Sequence, residues 1–500
     1  MNFKPYIQNI DSLIAGLIGA YVIFLYTKYS GVGLSPDSIM YASTATNIQA
    51  HGSLITFNKT PLVFFPVFYP FFLGVVQFIS GSSPIQAGPV INACLFATVI
   101  FTSGWIISKF KTDAIVYKWL ILAGIILSPG LLEIYSYLWS ETLFILEILL
   151  FILAYSWYLR THTLKSLLLV AIIAAISCIT RYAGVTIIGT GGLMLLLDNQ
   201  LEIRKKTGHI LFFGAISLSL LISNLILNSL STGLSTGTRE PSITPLVDNM
   251  HYFGTVLCDW ASLSKATYPY AALLTAVILL GLIALFLFKA FKGRLNRIEN
   301  VVIAFAVVYG LFMVISATIS RYERINSRLM SPMIICLLIG GTSWVPDVIN
   351  FVKSKLKYVL SVIAVLLMLA FEYSTYRTDW QRYDDESDYG VPGYSDDDWN
   401  KSEFVVYLRQ HKELFKPGIP IYTDANEAVY LFTGMSSELL PHQFFKADVK
   451  KFYQIKRFYV IWFDNLYNTE LIGIKEIMKQ KKLVKIGSAG QGEIYYYEGE

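Results

Sequence analysis

Residues 13–41 read LIAGLIGAYVIFLYTKYSGVGLSPDSIMY, an apolar run followed by a short loop that carries one carboxylate, Asp37. A run of about 20 mainly apolar residues is long enough to cross a bilayer as a helix. The run lacks a small-residue cleavage motif, so we interpret it as an uncleaved first helix and not as a signal peptide. This pattern places Asp37 just beyond the first membrane crossing.

Apolar runs of the same kind recur along most of the chain. Hydrophobic residues make up 54% of its 500 residues, the mean hydropathy is +0.52 and only 15% of the residues are charged, whereas soluble domains carry about 25% charged residues. We therefore predict a polytopic α-helical membrane protein with 11 crossings. The expected spans are 12–29, 86–107, 113–129, 139–158, 166–181, 183–198, 210–230, 268–290, 300–320, 328–346 and 357–374.

One further apolar segment, 62–79, decides the sidedness of the chain. Pro66 and Pro70 interrupt its helical hydrogen bonding. If the segment does not cross, the basic loops share the side of the N-terminus, and lysines and arginines favour the cytoplasm. We therefore predict a re-entrant or surface segment, a cytoplasmic N-terminus and an extracytoplasmic C-terminus. The basic residues are Lys109, Lys111, Arg160, Lys165, Arg204, Lys205, Lys206, Lys289, Lys292, Arg294, Arg297, Lys353, Lys355 and Lys357.

The composition becomes polar after residue 374. We divide the chain into a membrane domain, 1–374, with a catalytic first external loop at 31–85, and an extracytoplasmic α/β domain, 375–500. The acidic stretch 384–398 matches no EF-hand spacing, and we interpret it as a solvated linker. The expected later elements are helices at 398–413, 426–433 and 470–480 and strands at 419–423, 458–463, 483–486 and 493–497.

Several classes of site are not indicated by the sequence. Neither a G-x-G-x-x-G nor a P-loop pattern occurs, so nothing indicates nucleotide binding. The four cysteines form no disulfide framework, and the six histidines show no metal-ligand spacing. We expect no cofactor and no nucleic-acid partner, and the need for a divalent metal stays open.

Charged side chains gather at the predicted outer face. Asp37 acts either as a general base or as the cap of the helix that follows it. Glu141 either shares that chemistry or stabilises a helix N-terminus. Arg181 lies between two spans, where it either binds substrate or extends to the interface.

A turn near residue 325 carries three arginines on the side where the positive-inside rule disfavours them. Guanidinium groups bind phosphate bidentately, and the spacing of Arg321, Arg324 and Arg328 puts them near one face if the turn is helical. The alternative is an internal salt bridge through Glu323; we favour phosphate binding, with Arg181 as a fourth ligand. The expected substrate-lining residues are Tyr41, Lys59, Tyr69 and Tyr182.

Together these motifs resemble those of the GT-C superfamily of membrane glycosyltransferases, and more narrowly its bacterial branch near the protein O-mannosyltransferases and the lipid A aminoarabinose transferases. The order and membrane placement of the motifs carry the resemblance. Some relatives have paired acidic residues in the first loop, whereas Ser38 follows Asp37 here, which leaves open whether Glu141 or Glu133 shares the work. The similar pieces are DSIMY at 37–41, PVFYPFF at 66–72, SETLF at 140–144, TRYAG at 180–184, RY at 321–322, RLMSP at 328–332, IYTD at 421–424 and LFTG at 431–434.

The resemblance implies an inverting glycosyltransferase that moves a hexosyl or pentosyl group from a polyprenyl-phosphate donor to a hydroxyl of a protein, lipid or glycan. It implies that Asp37 takes the acceptor's proton and that external arginines stabilise the phosphate leaving group. The prenyl tail would lie among the helices, close to membrane lipid, and the resemblance to the bacterial branch implies a bacterial inner membrane. The alternatives are a transporter or flippase, a polymerase or ligase of lipid-linked glycans, and a receptor-like scaffold.

Overall fold

A computed structural model describes residues 9–499 except 111–114, 294, 351, 353–354, 465 and 467. Lys111, Arg294 and Lys353, which entered the prediction of sidedness, lie outside the described residues. The first eight residues of the predicted membrane domain and the last residue of the predicted C-terminal domain also lie outside them. The described residues form a bundle of helices that carries a small sheet domain at one end. We call this end of the bundle the domain end.

The membrane helices follow the predicted spans. Among the described residues, eight helices are long and apolar enough to cross a membrane, and a helix pair bent by 47° makes a possible ninth. Two more expected spans are shorter apolar helices of 17 and 13 residues. Every predicted span overlaps a helix, while the number of crossings stays a prediction. The helices are α1 Ile10–Thr27, α2 Pro36–His51, α3 Phe68–Ser80, α4 Pro84–Ile107, α5 Ile115–Ile126, α6 Pro129–Ser136, α7 Glu141–Thr161, α8 Leu164–Thr180, α9 Val185–Leu197, α10 Ile203–Thr232, α11 Leu246–Trp260, α12 Ala271–Phe291, α13 Ile298–Ile319, α14 Ser327–Asn350 and α15 Leu356–Tyr389.

Two helices, α2 and α3, form within the predicted first external loop. Ser35 caps α2: its hydroxyl accepts a hydrogen bond from the Ser38 backbone N–H, the Ser38 hydroxyl accepts one from Ser35 N–H, and Pro36 opens the helix. Asp37 is therefore not the cap, and its carboxylate is available for other contacts. The 13 residues of α3 span about 20 Å, less than the roughly 30 Å of a hydrocarbon core.

The last membrane helix, α15, continues for 34 residues to Tyr389. It passes through the predicted domain boundary at 374/375 and takes in the first part of the acidic stretch. The interpretation of 384–398 as a solvated linker was therefore wrong, because Glu386 is buried and binds Arg382 one turn earlier at 2.5 Å. Asp396 then caps the next short helix through its contact with Trp399 N–H.

The C-terminal domain contains a five-stranded mixed sheet in the order β2-β1-β3-β5-β4. Strand β1 is parallel to β2 and β3, and β5 is antiparallel to β3 and β4. The predicted helix 398–413 is broken because Ser402 caps a new helix, and the helix expected at 470–480 begins only at Ile474. The elements are α16 Asp397–Asn400, α17 Glu403–Gln410, β1 Ile421–Thr423, α18 Asn426–Thr433, β2 Glu438–Leu439, α19 Lys446–Tyr453, β3 Arg457–Phe463, α20 Ile474–Gln480, β4 Val484–Ala489 and β5 Gly492–Glu498; α19 and β2 were not predicted.

The C-terminal domain is joined to the segment that leads into α2. The Tyr394 backbone N–H donates to Leu34 O at 2.8 Å. Gly393 has a φ of +105°, and a Cβ there would lie 2.4 Å from Leu34 O, so this approach requires glycine. Farther along, the Phe57 and Tyr430 rings stack at 4.8 Å. These contacts fix the C-terminal domain beside the start of α2.

Candidate active site

Four predicted site residues meet at the domain end of the bundle. They come from the first turn of α2 (Asp37), the first residue of α7 (Glu141), the residue after α8 (Arg181) and the first turn of α14 (Arg328). Each stands where an apolar run gives way to a polar loop, which is why charged side chains from distant segments reach the same level.

Arg328 bridges the two carboxylates. Its Nη2 donates to Asp37 Oδ2 at 2.6 Å, and its Nε donates to Glu141 Oε1 at 2.6 Å. The other oxygen of Glu141 lies 2.6 Å from Arg181 Nη1. The guanidinium of Arg328 also lies over the Trp139 ring, 4.2 Å from its centroid. The result is a continuous chain of alternating charge, Asp37–Arg328–Glu141–Arg181.

The two carboxylates of this chain differ in burial. The Glu141 side chain is 1% exposed and both of its oxygens contact arginines, whereas the Asp37 side chain is 25% exposed. No hydrogen bond to Asp37 Oδ1 occurs among the described residues. Because a buried carboxylate needs its partners to stay charged, Glu141 holds the arginines in place, and Asp37 is the carboxylate that can reach a substrate.

The Ser35 cap and the Arg328 site are linked through one tryptophan. Trp139 Nε1 donates to Ser35 Oγ at 2.8 Å, while its ring supports the Arg328 guanidinium. The first turn of α2, which carries Asp37, is therefore held in register with the arginine that binds Asp37.

A pocket of about 340 Å³ opens in front of Asp37, Arg181 and Arg328. Tyr41 and Tyr182 line it. Tyr69 does not: it is fully buried and packs on the Tyr41 ring at a centroid distance of 5.0 Å. Lys59 is also not part of the lining and stands exposed at a loop position with a φ of 59°. The other aromatic lining residues are Phe64, Phe65, Tyr309, Phe312 and Tyr322.

The arginine turn does not present a single cationic face. Residues 321–326 are not helical, so the three arginines point to different partners. Arg321 Nη2 contacts Glu470 Oε1 of the C-terminal domain at 2.8 Å, and Arg324 lies over the Tyr252 ring at 5.1 Å. Only Arg328 of the three lines the pocket, and a role of Arg321 and Arg324 in donor binding stays a prediction.

The pocket contains an arginine that the sequence did not single out as a ligand, Arg239. No ion pair to Arg239 is formed by the described residues, and its side chain is exposed. The segment around it is held against the arginine turn, because Arg321 N–H donates to Glu240 O at 2.8 Å and Ser242 N–H donates to Ile319 O at 3.0 Å. No sequence pattern predicts these backbone hydrogen bonds, which explains why Arg239 was not predicted as a ligand.

Burial changes the acid–base behaviour of groups around Asp37. It raises the pKa of Glu323, against the opposing field of Arg328, and it raises the pKa of Tyr41, which keeps that hydroxyl protonated. Glu427 of the C-terminal domain lies near Asp37. Its pKa is raised to about 7, mainly by burial and to a smaller extent by the negative charge of Asp37. Within the described ranges, no group of three or more His, Cys, Asp or Glu is arranged to hold a metal ion.

Comparison with solved structures places this arrangement in a known fold. ArnT from Cupriavidus metallidurans in the apo state matches with a TM-score of 0.58 at 12% identity over 97% of both chains. The same protein bound to undecaprenyl phosphate matches with a TM-score of 0.56 at 11% identity over 99% of this chain and 98% of that chain.

The archaeal oligosaccharyltransferase AglB from Archaeoglobus fulgidus, solved with an inhibitory peptide and a dolichol-phosphate, matches with a TM-score of 0.55 at 11% identity over 93% of this chain and 70% of that chain. No family model matches the chain, and no curated protein matches it significantly. At such identities the similarity concerns the fold. The predicted helical membrane bundle with a small C-terminal α/β domain is confirmed, while the number of crossings and the side of the membrane on which that domain lies stay predictions.

Proposed function

From the GT-C fold of this chain, we propose that it is an inverting glycosyltransferase that moves a sugar from a polyprenyl-phosphate donor to an acceptor hydroxyl. The observation that carries the proposal is the carboxylate of Asp37, which keeps one oxygen free at the edge of a pocket while Arg328 holds the other at 2.6 Å. A base in this position is oriented for one incoming proton.

The proposed step is a single displacement. Asp37 accepts the proton of the acceptor hydroxyl as its oxygen attacks the anomeric carbon of the donor. The bond between that carbon and the phosphate oxygen breaks, and its electron pair leaves with polyprenyl phosphate. Because the nucleophile enters opposite the leaving group, the configuration at the anomeric carbon inverts. Charge grows on the phosphate during this step, so cations nearby lower the barrier.

Arg239 is the best placed cation for that phosphate. Arg181 and Arg328 lend positive potential, but their hydrogen bonds are largely used by Glu141 and Asp37. Arg239 lines the same pocket without an ion pair among the described residues. Structures of this fold have been solved with undecaprenyl phosphate and with a dolichol-phosphate, which supports a lipid-borne phosphate as the ligand here.

The apolar side of the pocket suits the lipid part of such a donor. Phe312 and Met313 of α13 and Leu329 of α14 belong to its lining, so the charged end of the pocket gives way to apolar walls within the bundle. With the basic loops cytoplasmic, the domain end is extracytoplasmic. We propose this orientation for a multi-pass protein of the bacterial plasma membrane.

The test uses the full chain in liposomes with undecaprenyl phosphate that carries a radiolabelled hexose or pentose, and a cell-envelope extract as the source of acceptor. We expect the wild type to release undecaprenyl phosphate and pass label to the extract, and Asp37→Asn to do neither. If the labelled lipid crosses the bilayer intact and no label leaves it, the chain is a transporter and the proposal fails.

A further inference from the structure

A second pocket, of about 610 Å³, lies between the C-terminal domain and the arginine turn. We call it the interdomain pocket. Three of its lining residues, Phe64, Tyr322 and Glu323, also line the pocket in front of Asp37. The two cavities are therefore neighbours, and Phe64, Tyr322 and Glu323 are the residues that a molecule reaching from one pocket to the other would pass.

The bundle side of the interdomain pocket is held firmly. The Arg321 backbone N–H donates to the Glu240 carbonyl oxygen at 2.8 Å, which positions Glu240. Phe64 rests against Gly237, where a Cβ would lie 2.7 Å from the ring. The C-terminal domain forms the opposite wall, and Arg321 contacts it. Arg321 Nη2 lies 2.8 Å from Glu470, and its guanidinium lies 4.2 Å from the centroid of Phe444.

The charges of the interdomain pocket select against an anionic ligand. Three carboxylates, Glu240, Glu323 and Glu470, line it together with one arginine. That arginine, Arg321, already binds Glu470, and His442 Nδ1 lies 3.7 Å from the same carboxylate. Glu323 Oε1 lies 3.9 Å from Arg328 Nη1, whereas Glu240 forms no ion pair among the described residues. Acceptor oxygens therefore remain in excess, and a phosphorylated acceptor would be repelled.

The exposed aromatic rings add a second requirement. Phe64 and Phe444 are 48% and 50% exposed, respectively, so each offers an apolar surface at the pocket. Ionised carboxylates only accept hydrogen bonds, so a ligand must bring donors to them and an apolar face to the rings. A sugar ring has both, with several hydroxyl donors around one apolar face, whereas the backbone of a peptide offers only one N–H donor per residue.

We propose that the interdomain pocket binds the acceptor as a neutral carbohydrate, with a sugar ring packed on Phe444 and hydroxyls donating to Glu240. This proposal rests on the proposed function, since it names the class of acceptor for the same active site. The glycan would then extend past Phe64, Tyr322 and Glu323, so that a hydroxyl of its terminal sugar reaches Asp37.

The test measures binding and does not need activity. Saturation-transfer NMR is recorded on the full chain in nanodiscs with four neutral probes, maltotetraose, cellotetraose, chitotetraose and mannotetraose, and with a neutral Ser/Thr peptide. The variants are Phe444→Ala and Glu240→Gln. The controls are Met478→Ala and Glu476→Gln, which change exposed positions elsewhere in the C-terminal domain, and thermal unfolding checks that each variant is folded.

We expect saturation transfer to at least one tetrasaccharide, a loss of at least fivefold in both pocket variants, and unchanged signals in both controls. Binding of the peptide in place of the sugars, sugar binding that ignores Phe444 and Glu240, or no sugar binding would each overturn the proposal. Asp37→Asn should bind the tetrasaccharide like the wild type. Failure of the transfer assay with sugar binding intact would reject the proposed function alone.

Discussion

Arg328 donates to Asp37 at 2.6 Å although the two residues are 291 positions apart in the chain. The same guanidinium binds the buried Glu141 through Nε, so its plane, and with it the orientation of the Asp37 carboxylate, is fixed by a residue that substrate does not reach. A charge-assisted fork of this kind restricts direction as well as distance. The catalytic proposal depends on this restriction.

Asp37→Asn should abolish transfer without unfolding the chain. The amide keeps the size of the side chain but cannot take a proton, and general-base catalysis contributes roughly 10²–10⁴-fold. We expect kcat to fall by about that factor while the unfolding temperature stays close to wild type. Asp248→Asn, an exposed carboxylate in the first turn of α11, is the control; comparable losses in both variants would contradict the role of Asp37.

Arg328→Lys should be almost as damaging as Arg328→Ala. A single ammonium group cannot reproduce the two directed hydrogen bonds to Asp37 and Glu141. We expect kcat to fall about 100-fold in both variants, and the alanine variant to lose about 3 kcal/mol of stability because a buried carboxylate loses a partner. Chemical denaturation and turnover measure these effects. Arg377→Ala, an exposed arginine of α15, should change neither by much, and a full rescue of activity by lysine would refute the fork.

Gly237→Ala and Gly233→Ala form a matched pair. Both glycines have a positive φ, +76° and +77°, but only at Gly237 would a Cβ meet another side chain, the Phe64 ring. Each substitution should cost about 1 kcal/mol through backbone strain. We expect kcat/KM to fall about tenfold only in Gly237→Ala, since Phe64 belongs to both pockets. Equal kcat/KM in the two variants would show that the position of Phe64 is unimportant.

Glu427→Gln should remove part of the pH dependence of stability. Folding raises the pKa of Glu427 to about 7, mainly by burial, from about 4.3 in an unfolded chain. Between these values the folded state retains a proton that the unfolded state has lost, so stability falls as the pH rises through this window. Above pH 7, Glu427→Gln should be more stable than wild type by roughly 3–4 kcal/mol, the free energy that corresponds to this difference in pKa.

Urea unfolding at pH 5 and pH 8 measures this difference, with the exposed Glu413→Gln as the control. At pH 5 the difference should shrink to about 1 kcal/mol, because Glu427 keeps its proton in the folded state while most unfolded chains have lost theirs. A variant that is equally stabilised at both pH values would show that packing, and not the proton, causes the effect.

The sequence predicted those parts of the structure that depend mainly on hydrophobicity. Long apolar runs can only be satisfied as helices in a bilayer, so every predicted span overlaps a helix, and charged residues at span ends such as Asp37, Glu141 and Arg328 converge at one level. The extension of α15 was missed because Glu386 and Arg382 satisfy each other inside a helix that composition alone shows as acidic and polar.

The parts of the site that depend on pairing between distant segments could not be predicted. Arg239 reaches the pocket through backbone hydrogen bonds around Glu240, which no periodicity encodes. Arg321 turns to Glu470 because the C-terminal domain lies above it, and Arg324 finds an aromatic ring. The sequence shows which charged residues lie near the ends of the spans. The contacts made in the fold determine which of them line the pocket.

The hydrogen bond from Tyr394 to Leu34 has a consequence for biosynthesis. Tyr394 is translated 360 positions after Leu34, when all of the predicted spans have been made. The backbone just ahead of Asp37 is therefore held in place only after the membrane helices exist. On the proposed function, we expect chains that terminate before Tyr394 to transfer no sugar.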